Sequence, residues 1–453
     1  MGLGSLGGGS GAAAYLAGAG AVVTVTDLRS EEQLRPSIDA LSDFPDITYH
    51  LGGHCAEDVT ECDLVVVNPA VREDNSYLQI ARKNNIELKT ELNLLLERNL
   101  HQAWIGVTGS NGKSTTTRLI YEGLNALGHK VFAGGNLGGS LLNRTDDELS
   151  GSILVLEISS FQAPWIAAHS QWPEAAVLTN LTPNHLDRHG TMEEYTAAKR
   201  RLLENPRIDA AAVLNRDDSR VTAMGKNLAC STVYFSVEHA VSPGVFMQDG
   251  AFVFRPATEK REYRTSAREF RLPGMHNNSN ACAALAAILT IDPTAAGRFK
   301  DAASAMACFE GIEHRLELAA EHQGIRFVND SVATTPESTI AGLNAFPGSP
   351  VILIAGGYDK KIPLDELASE IASTAKAAFL IGDTGKKIQT LIKQTYPDFP
   401  ASYCGTLEKA VTRARSAATA GDTVLLSPAC ASYDQFRNFE HRGQCFKKIV
   451  LSF

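Results

Sequence analysis

Excess positive charge, long apolar runs and paired cysteines are all missing from this chain of 453 residues. Its 42 lysines and arginines face 51 aspartates and glutamates, for a net charge of -9. That balance argues against nucleic acid as a partner, so any anionic ligand must be held by local basic groups and backbone amides. No apolar stretch approaches the roughly 18 residues that a membrane span needs. No charged-then-apolar leader precedes the first domain either, and the expectation is a cytoplasmic protein without membrane contact. The eight cysteines are scattered, with no C-x-x-C pair and no cysteine/histidine cluster at zinc-like spacing. Neither a disulfide framework nor a structural metal site is expected. At this length one core is too small, and two to four domains are predicted.

What is present is a phosphate loop. The run Gly106-Val-Thr-Gly-Ser-Asn-Gly-Lys-Ser-Thr115 leaves the apolar strand Ala103-Trp-Ile-Gly-Val107 and enters a helical pattern from Thr116 to Leu127, stopped by Gly128. Successive backbone N–H groups in such a turn cradle phosphate, the helix N-terminus adds its positive dipole end, Lys113 supplies a point charge, and a hydroxyl can reach Mg2+. Val107 stands where the usual P-loop pattern has its first glycine. ATP or GTP is the expected ligand.

Upstream, Met1-Gly-Leu-Gly-Ser-Leu-Gly7 matches G-x-G-x-x-G and runs through an alanine-rich helix into the strand Ala21-Val-Val-Thr-Val-Thr26 and Asp27. This is half of a Rossmann unit. The strand that should precede its glycine turn is missing, and an upstream in-frame start encoding a short apolar strand is expected. A strand at 63–67 and a helix near 76–83 complete this first α/β domain, and a polar helix around 91–100 leads into the phosphate-loop strand and marks the first boundary. The second domain has strands at 152–156 and 175–178, ending in polar residues. A third α/β unit begins after about residue 311, with strands at 325–328, 351–354, 378–381 and 422–426.

Three places carry further chemistry. Glu157 closes an apolar strand, where a carboxylate facing phosphates can bind Mg2+. Asn184-His-Leu-Asp-Arg-His189 gathers two histidines and an aspartate in a loop. Thr191-Met-Glu-Glu194 reads as a capping box that opens a helix. On that helix Met192, Tyr195, Lys199, Leu202 and Leu203 share one face while Arg200 and Arg201 point elsewhere. Lys199 thus sits mid-stripe on the apolar side. It either snorkels or is desolvated, with a lowered pKa and the capacity to react with carbon dioxide.

Taken together these segments resemble the Mur ligase family along essentially the whole chain. The marks are Thr108-Gly-Ser-Asn-Gly-Lys-Ser-Thr115, Gly134-Gly-Asn-Leu-Gly138, Glu157-Ile-Ser-Ser-Phe-Gln162, Asn184 to His189, Tyr195-Thr-Ala-Ala-Lys199, Gly274-Met-His-Asn277 with Asn280, His314-Arg315, Asn329-Asp-Ser331 and Leu426-Ser-Pro-Ala-Cys-Ala-Ser432. The last mark points to the glutamate-adding branch. The resemblance implies an α/β protein of three domains. These are a Rossmann-like domain for a UDP substrate (1–97), a central P-loop ATPase domain with a mainly parallel sheet (98–311), and a C-terminal Rossmann-like domain for glutamate (312–453).

It also implies a chemistry, in which ATP phosphorylates a substrate carboxylate and an amino-acid amine attacks the acyl phosphate. The substrates implied are UDP-N-acetylmuramoyl-L-alanine and glutamate, and a monomer is expected. Gly109, Ser110, Asn111, Gly112, Lys113, Ser114, Thr115, Asn277, Asn280, Arg315 and Asp330 would hold ATP. Ser114 or Thr115 with Glu157 would hold one Mg2+, and His185 with a carbamylated Lys199 a second. Lys113, Glu157, His185 and Lys199 are the expected catalytic set. Gly2, Gly4, Gly7, Asp27, Leu28, Arg29, Asn136 and His185 would meet the UDP substrate. Thr334, Lys360, Ser432 and Phe439 would grip glutamate.

The sequence departs from the family at Val332, where well-known members place lysine; Asp330 to Glu337 and Gly356 to Lys361 are variants too. These departures leave open D- or L-glutamate, and a P-loop nucleotide-binding regulator without ligase activity is the alternative from another class.

Overall fold

The computed structural model describes every residue except 5, 6, 138, 258–260, 271, 273, 310, 347 and 361, together with the side chain of Asp187. Ser5 and Leu6 of the N-terminal glycine motif, Gly138 of the Gly134 to Gly138 mark and Lys361 of the variant stretch Gly356 to Lys361 therefore lie outside the described residues, as does the Asp187 side chain. The chain forms two compact units. The first comprises Met1–Arg268 with Asn280–Met306, the second Glu269–Ser279 with Ala307–Phe453.

The first unit is organised by a nine-stranded sheet, which runs in the order Tyr263–Ser266, Ala251–Arg255, Gly244–Gln248, Ser231–Ser236, Ala211–Asn215, Ala175–Leu178, Ala103–Thr108, Ile153–Glu157, Val131–Gly135. The first two strands are antiparallel additions; the other seven run parallel. The central strands Ala103–Thr108, Ile153–Glu157, Ala175–Leu178 and Ala211–Asn215 are buried along their whole length. That is why they read as continuous apolar runs, as strands covered on both faces do. The 231–266 strands were not foreseen, because they are short, mixed in burial and separated by turns.

The first ninety residues hold two parallel pairs, Thr24–Asp27 with Thr48–Leu51 and Leu64–Val66 with Glu87–Lys89. Met1 and Gly2 lie between them. Gly2 N–H donates to Thr26 O at 2.7 Å, and Asn68 N–H to Met1 O at 3.0 Å. The helix foreseen as polar around 91–100 is Glu91–Glu97, and it is the opposite: Leu92, Asn93, Leu94, Leu95 and Leu96 are all buried. Its leucines join Trp104, Leu154 and Ala12 in one core cluster, so apolar burial outweighs the charged ends that suggested a solvated helix.

The second unit has a six-stranded sheet in the order Glu317–His322, Ile325–Asn329, Thr423–Leu426, Val351–Gly356, Ala375–Ile381, Ala401–Gly405. All neighbours are parallel except the first pair. Among the described residues no helix is long and apolar enough to cross a membrane.

Candidate functional site

Parallel pairing brings the polar ends of adjacent strands to one edge, where ligands of open α/β sheets bind. Val107 pairs with Glu157, and Glu157 pairs in turn with Gly135. The phosphate loop leaves its strand at Thr108 and turns at two glycines with positive φ, Gly109 at +145° and Gly112 at +82°. A Cβ at Gly109 would overlap Thr179 Oγ1, and one at Gly112 would overlap Asn280 Oδ1. The helix Lys113–Ala126 follows. Thr179 Oγ1 donates to Asn111 O at 2.6 Å, Asn111 N–H to Asn180 Oδ1 at 2.8 Å, and Ser110 Oγ to Thr182 O at 2.8 Å. The loop is therefore held from beneath by the segment that leaves Ala175–Leu178. Asn280 accepts from Thr116 Oγ1 at 3.3 Å, which puts it beside the loop.

Within this frame the expected catalytic groups take distinct positions. Lys113 folds back and donates to the carbonyls of Gly109 (3.0 Å) and Ser110 (2.9 Å). Glu157 is 3% exposed. Its Oε2 accepts from Ser114 Oγ at 2.6 Å and its Oε1 from Asn136 Nδ2 at 2.8 Å. Of the two candidate hydroxyls, Ser114 thus faces the carboxylate, while Thr115 Oγ1 is buried without a hydrogen-bond partner. Asn136, expected to orient the substrate, aims Glu157 as well.

Lys199 is the least expected charge in the unit. It is 1% exposed, on the helix Met192–Arg200, and its Nζ donates to Gly109 O at 2.8 Å and Thr108 Oγ1 at 3.3 Å. The Tyr195 ring lies 4.8 Å beneath it. Burial, reinforced by the charge of Lys113 and opposed by Glu157, drives its pKa well below the usual lysine range. The apolar stripe read from the sequence is real: Tyr195, Leu202 and Leu203 are buried with it. A desolvated amine of this kind can be neutral and nucleophilic.

His185 stands exposed at the N-terminal cap of the short helix Leu186–His189, with φ at +54°. Its ring meets Phe161 edge-on at 5.3 Å, Phe161 stacks on His189 at 5.2 Å, and His189 meets Tyr195 edge-on at 5.3 Å. Tyr195 then shares a 3.0 Å hydrogen bond with Ser110 Oγ in the phosphate loop. His189 and Tyr195, given no role by the sequence reading, thus connect His185 to the loop. The signal for Tyr195 was its position one turn before Lys199 on the same face.

At the N-terminal turn, Gly2, Gly4 and Gly7 all have positive φ. The Asp27 carboxylate accepts from Gly4 N–H (3.3 Å), Arg29 N–H (3.0 Å) and the Arg29 guanidinium (3.2 Å). Burial pushes its pKa up, but the Arg29 and Gly4 hydrogen bonds outweigh that and hold it below the usual range. Leu28 beside it is 72% exposed, an apolar surface next to a fixed carboxylate.

In the second unit, Thr334 and Lys360 come together: Lys360 Nζ lies 3.3 Å from Thr334 O and 3.4 Å from its Oγ1. Ser432 is buried, and Phe439 O accepts from Ser331 Oγ at 2.8 Å. Asn277 is buried near the start of the helix Met275–Ile291. Burial and the Arg315 charge push neighbouring His276 down to about 4. Sequence reasoning gave no role to Arg442, which is wholly buried and donates to Ser331 Oγ (3.0 Å), Ser331 O (2.8 Å) and Cys430 O (3.0 Å). In the sequence it looks like one more charge on a polar helix face.

Asp330 accepts from Ser427 Oγ at 2.7 Å and Leu316 N–H at 3.2 Å. Burial pushes its carboxyl up to about 7, against the pull of Ser427 and Arg315. The unfolded chain gives up this proton near pH 4 while the folded protein keeps it. The stability it contributes is therefore present below that pH and lost as pH rises to about 7. Asp330→Asn is expected to raise the urea midpoint at about pH 8, with the gain shrinking toward pH 4. A variant less stable than the parent at pH 8 would show that the carboxylate is held charged.

Three family models match the chain: the Mur ligase MurD-like N-terminal domain over residues 1–90, the Mur ligase middle domain over 107–288, and the Mur ligase glutamate ligase domain over 314–430. A UDP-N-acetylmuramoylalanine--D-glutamate ligase of Acetivibrio thermocellus is 39% identical over 445 residues, covering 97% of this chain and 93% of that protein. One of a Roseiflexus species is 40% identical over 467 residues, covering 100% and 98%. Among solved structures, UDP-N-acetylmuramate-alanine ligase from Thermotoga maritima shares the fold at a TM-score of 0.63 and 18% identity, covering 100% of this chain and 98% of that one. A pseudomurein peptide ligase type C from Methanothermus fervidus does so at 0.58 and 20%, covering 98% and 97%.

Proposed function

Since the chain belongs to the Mur ligase family, we propose that it is an ATP-dependent ligase that adds D-glutamate to UDP-N-acetylmuramoyl-L-alanine, acting as a cytoplasmic monomer in peptidoglycan precursor synthesis. The observation that carries this reading is the convergence on one phosphate loop of Ser114, Glu157 and a buried lysine. Residues 1–97 would take the UDP substrate, 98–311 ATP, and 312–453 glutamate.

The oxygen donors fit Mg2+. Ser114 and Glu157 form a compact pair of hard donors next to phosphate-binding amides. When bound, the metal neutralises charge as two anions approach. Lys113 leaves the loop carbonyls for the β and γ phosphates. The loop amides and Lys113 then hold the γ-phosphoryl group in line with the substrate carboxylate. A carboxylate oxygen forms a bond to the γ phosphorus, the bond to the ADP oxygen breaks, and an acyl phosphate results. The glutamate amine attacks its carbonyl carbon, inorganic phosphate departs and the amine loses a proton.

Thr334 and Lys360 would orient the incoming amino acid through its carboxylates, with Ser432 and Phe439 completing that subsite. Lys199, its basicity lowered by desolvation, would add the lone pair of its deprotonated Nζ to carbon dioxide and release a proton. The resulting carbamate and His185 would be the groups to hold a second Mg2+.

Phosphate release from ATP is the test, measured with UDP-N-acetylmuramoyl-L-alanine and D-glutamate, L-glutamate or no amino acid. Release dependent on D-glutamate is expected. Release with the L isomer alone would reassign the amino acid, with Val332 as the first suspect. No glutamate dependence with either isomer would favour the non-catalytic regulator. Lys360→Met should raise the KM for glutamate about 10- to 100-fold, the scale of one charged hydrogen bond, and leave the KM for ATP near the parent's. An equal rise in both would remove Lys360 from the glutamate subsite.

A further inference from the structure

Among the described residues, three clusters bring His, Cys, Asp or Glu donor atoms within 4.8 Å of one another: His50, Cys55 and Asp58; Asp217, Glu238 and His239; Glu313, His314 and Glu317. In two of them the central carboxylate is already engaged. Asp217 accepts from Ser236 and from Val237 N–H at 2.7 Å. Glu317 accepts from Lys447, from Asn329 Nδ2 at 3.0 Å and from His314 N–H at 2.9 Å, so Lys447 is the cation there. The first cluster is different. Asp58 Oδ1 pairs with His50 Nδ1 at 2.8 Å, but Asp58 Oδ2 is buried without a hydrogen-bond partner, on a side chain only 12% exposed. A buried polar atom left unsatisfied is destabilising, and a ligand there would relieve it. The exposed Cys55 thiol lies beside it, within hydrogen-bonding reach of the same carboxylate.

We propose that His50, Cys55 and Asp58 form a zinc site in the first ninety residues, separate from the Mg2+ site at Glu157. One imidazole nitrogen, one thiol sulfur and one carboxylate oxygen make the borderline donor set that Zn2+ takes, with water as fourth ligand. Donors around tetrahedral zinc stand about 3.3–3.8 Å apart at its bond lengths. Binding would draw donors that lie within 4.8 Å of one another to that spacing.

That closure is within reach of the backbone. His50 belongs to the strand Thr48–Leu51, Asp58 to the short helix Glu57–Thr60, and Cys55 to the segment between, which contains Gly52 and Gly53. Asp58 Oδ2 is available as a ligand, and binding exchanges the His50–Asp58 hydrogen bond for two bonds to the ion. The ion takes the place of the proton shared by His50 and Asp58, and the thiol releases its own proton to solvent.

The ion has a structural consequence. Gly52 N–H donates to Arg29 O at 3.0 Å and Gly53 N–H to Asp27 O at 3.1 Å. The segment that the metal would fasten thus braces the Asp27–Arg29 turn. Sequence spacing concealed the site because it has a single cysteine and its ligands come from a strand, a connection and a helix.

The test uses metal alone. Tag-free full-length protein, stripped with chelator, is titrated with Co2+ as a spectroscopic stand-in and then with Zn2+. One equivalent of Co2+ should produce a thiolate-to-metal charge-transfer band that Zn2+ abolishes. Cys55→Ser, at an exposed position, should lose the band while keeping the fold. Asp58→Asn should weaken binding by more than about tenfold, the lower bound already seen for outer-shell partners of metal ligands. Glu238→Gln, in the engaged Asp217 cluster, should bind as the parent does. Absence of the band in the parent protein, or its persistence in Cys55→Ser, overturns the proposal. Neither result bears on the ligase reading, which is tested by phosphate release.

Discussion

Lys199→Met is expected to lower the ligase turnover number by about 10²- to 10³-fold, the scale lost when one preorganised electrostatic group is removed from a reacting centre. Methionine matches the lysine stem in length and suits a buried apolar face, so the core around Tyr195, Leu202 and Leu203 keeps its packing. The variant should also separate activity from stability through its pH dependence. Burial drives the Lys199 pKa well below 10.5 in the folded protein. Between that lowered value and 10.5, the unfolded chain carries a proton that the folded one does not, so wild-type stability rises with pH across the window. The slope is about 1.4 kcal/mol per pH unit for one proton. Lys199→Met should lack this contribution when urea transitions are followed in carbon dioxide-free buffer. Equal slopes in the two proteins would show that the buried amine stays charged, and full turnover in the variant would remove Lys199 from the chemistry.

The second large effect is expected at Gly109. Alanine there must adopt φ near +145°, and its Cβ would overlap Thr179 Oγ1. The strain of such a backbone conformation costs about 1–3 kcal/mol. Displacing Thr179 would also break its hydrogen bonds to Thr108 O and Asn111 O, each worth about 1 kcal/mol. A loss of about 3–5 kcal/mol is therefore expected, together with loss of measurable ATP binding, because the loop amides no longer point inward. Gly297→Ala, where an added Cβ meets nothing within 4 Å, is the control and should change little. The pair Gly109→Ala with Thr179→Ala tests the cause. Partial recovery identifies the clash, and no recovery assigns the loss to φ alone. ATP binding at wild-type strength in Gly109→Ala would refute the proposed role of the loop.

Several elements were legible because their signals are local. The phosphate loop combines a buried strand, two obligatory glycines and a helix start within a dozen residues, and each part constrains the next. The face carrying Tyr195 and Lys199 follows from helical periodicity, which places side chains three to four apart on one side. The buried strands announce themselves as unbroken apolar runs.

Other features escaped for equally physical reasons. Charged ends made the Glu91–Glu97 helix look polar, although its leucines fill a core shared with Trp104 and Leu154. Arg442 and the cluster of His50, Cys55 and Asp58 have no periodicity at all. They are defined by which loops meet, and those meetings depend on strand order.

The sequence by itself determined the family, the parallel α/β class and the residue types for binding phosphate and metal, since these depend on local backbone geometry and on the chemistry of single side chains. The tertiary structure decided the rest. Pairing of Val107 with Glu157 and Glu157 with Gly135 turned a carboxylate and an asparagine toward Ser114. Closure of the helix Met192–Arg200 over the phosphate loop placed the Lys199 amine 2.8 Å from Gly109 O, out of water. Desolvation and Coulomb forces act through space, so the properties that make Lys199 and Glu157 a candidate site exist only once the chain has brought them together.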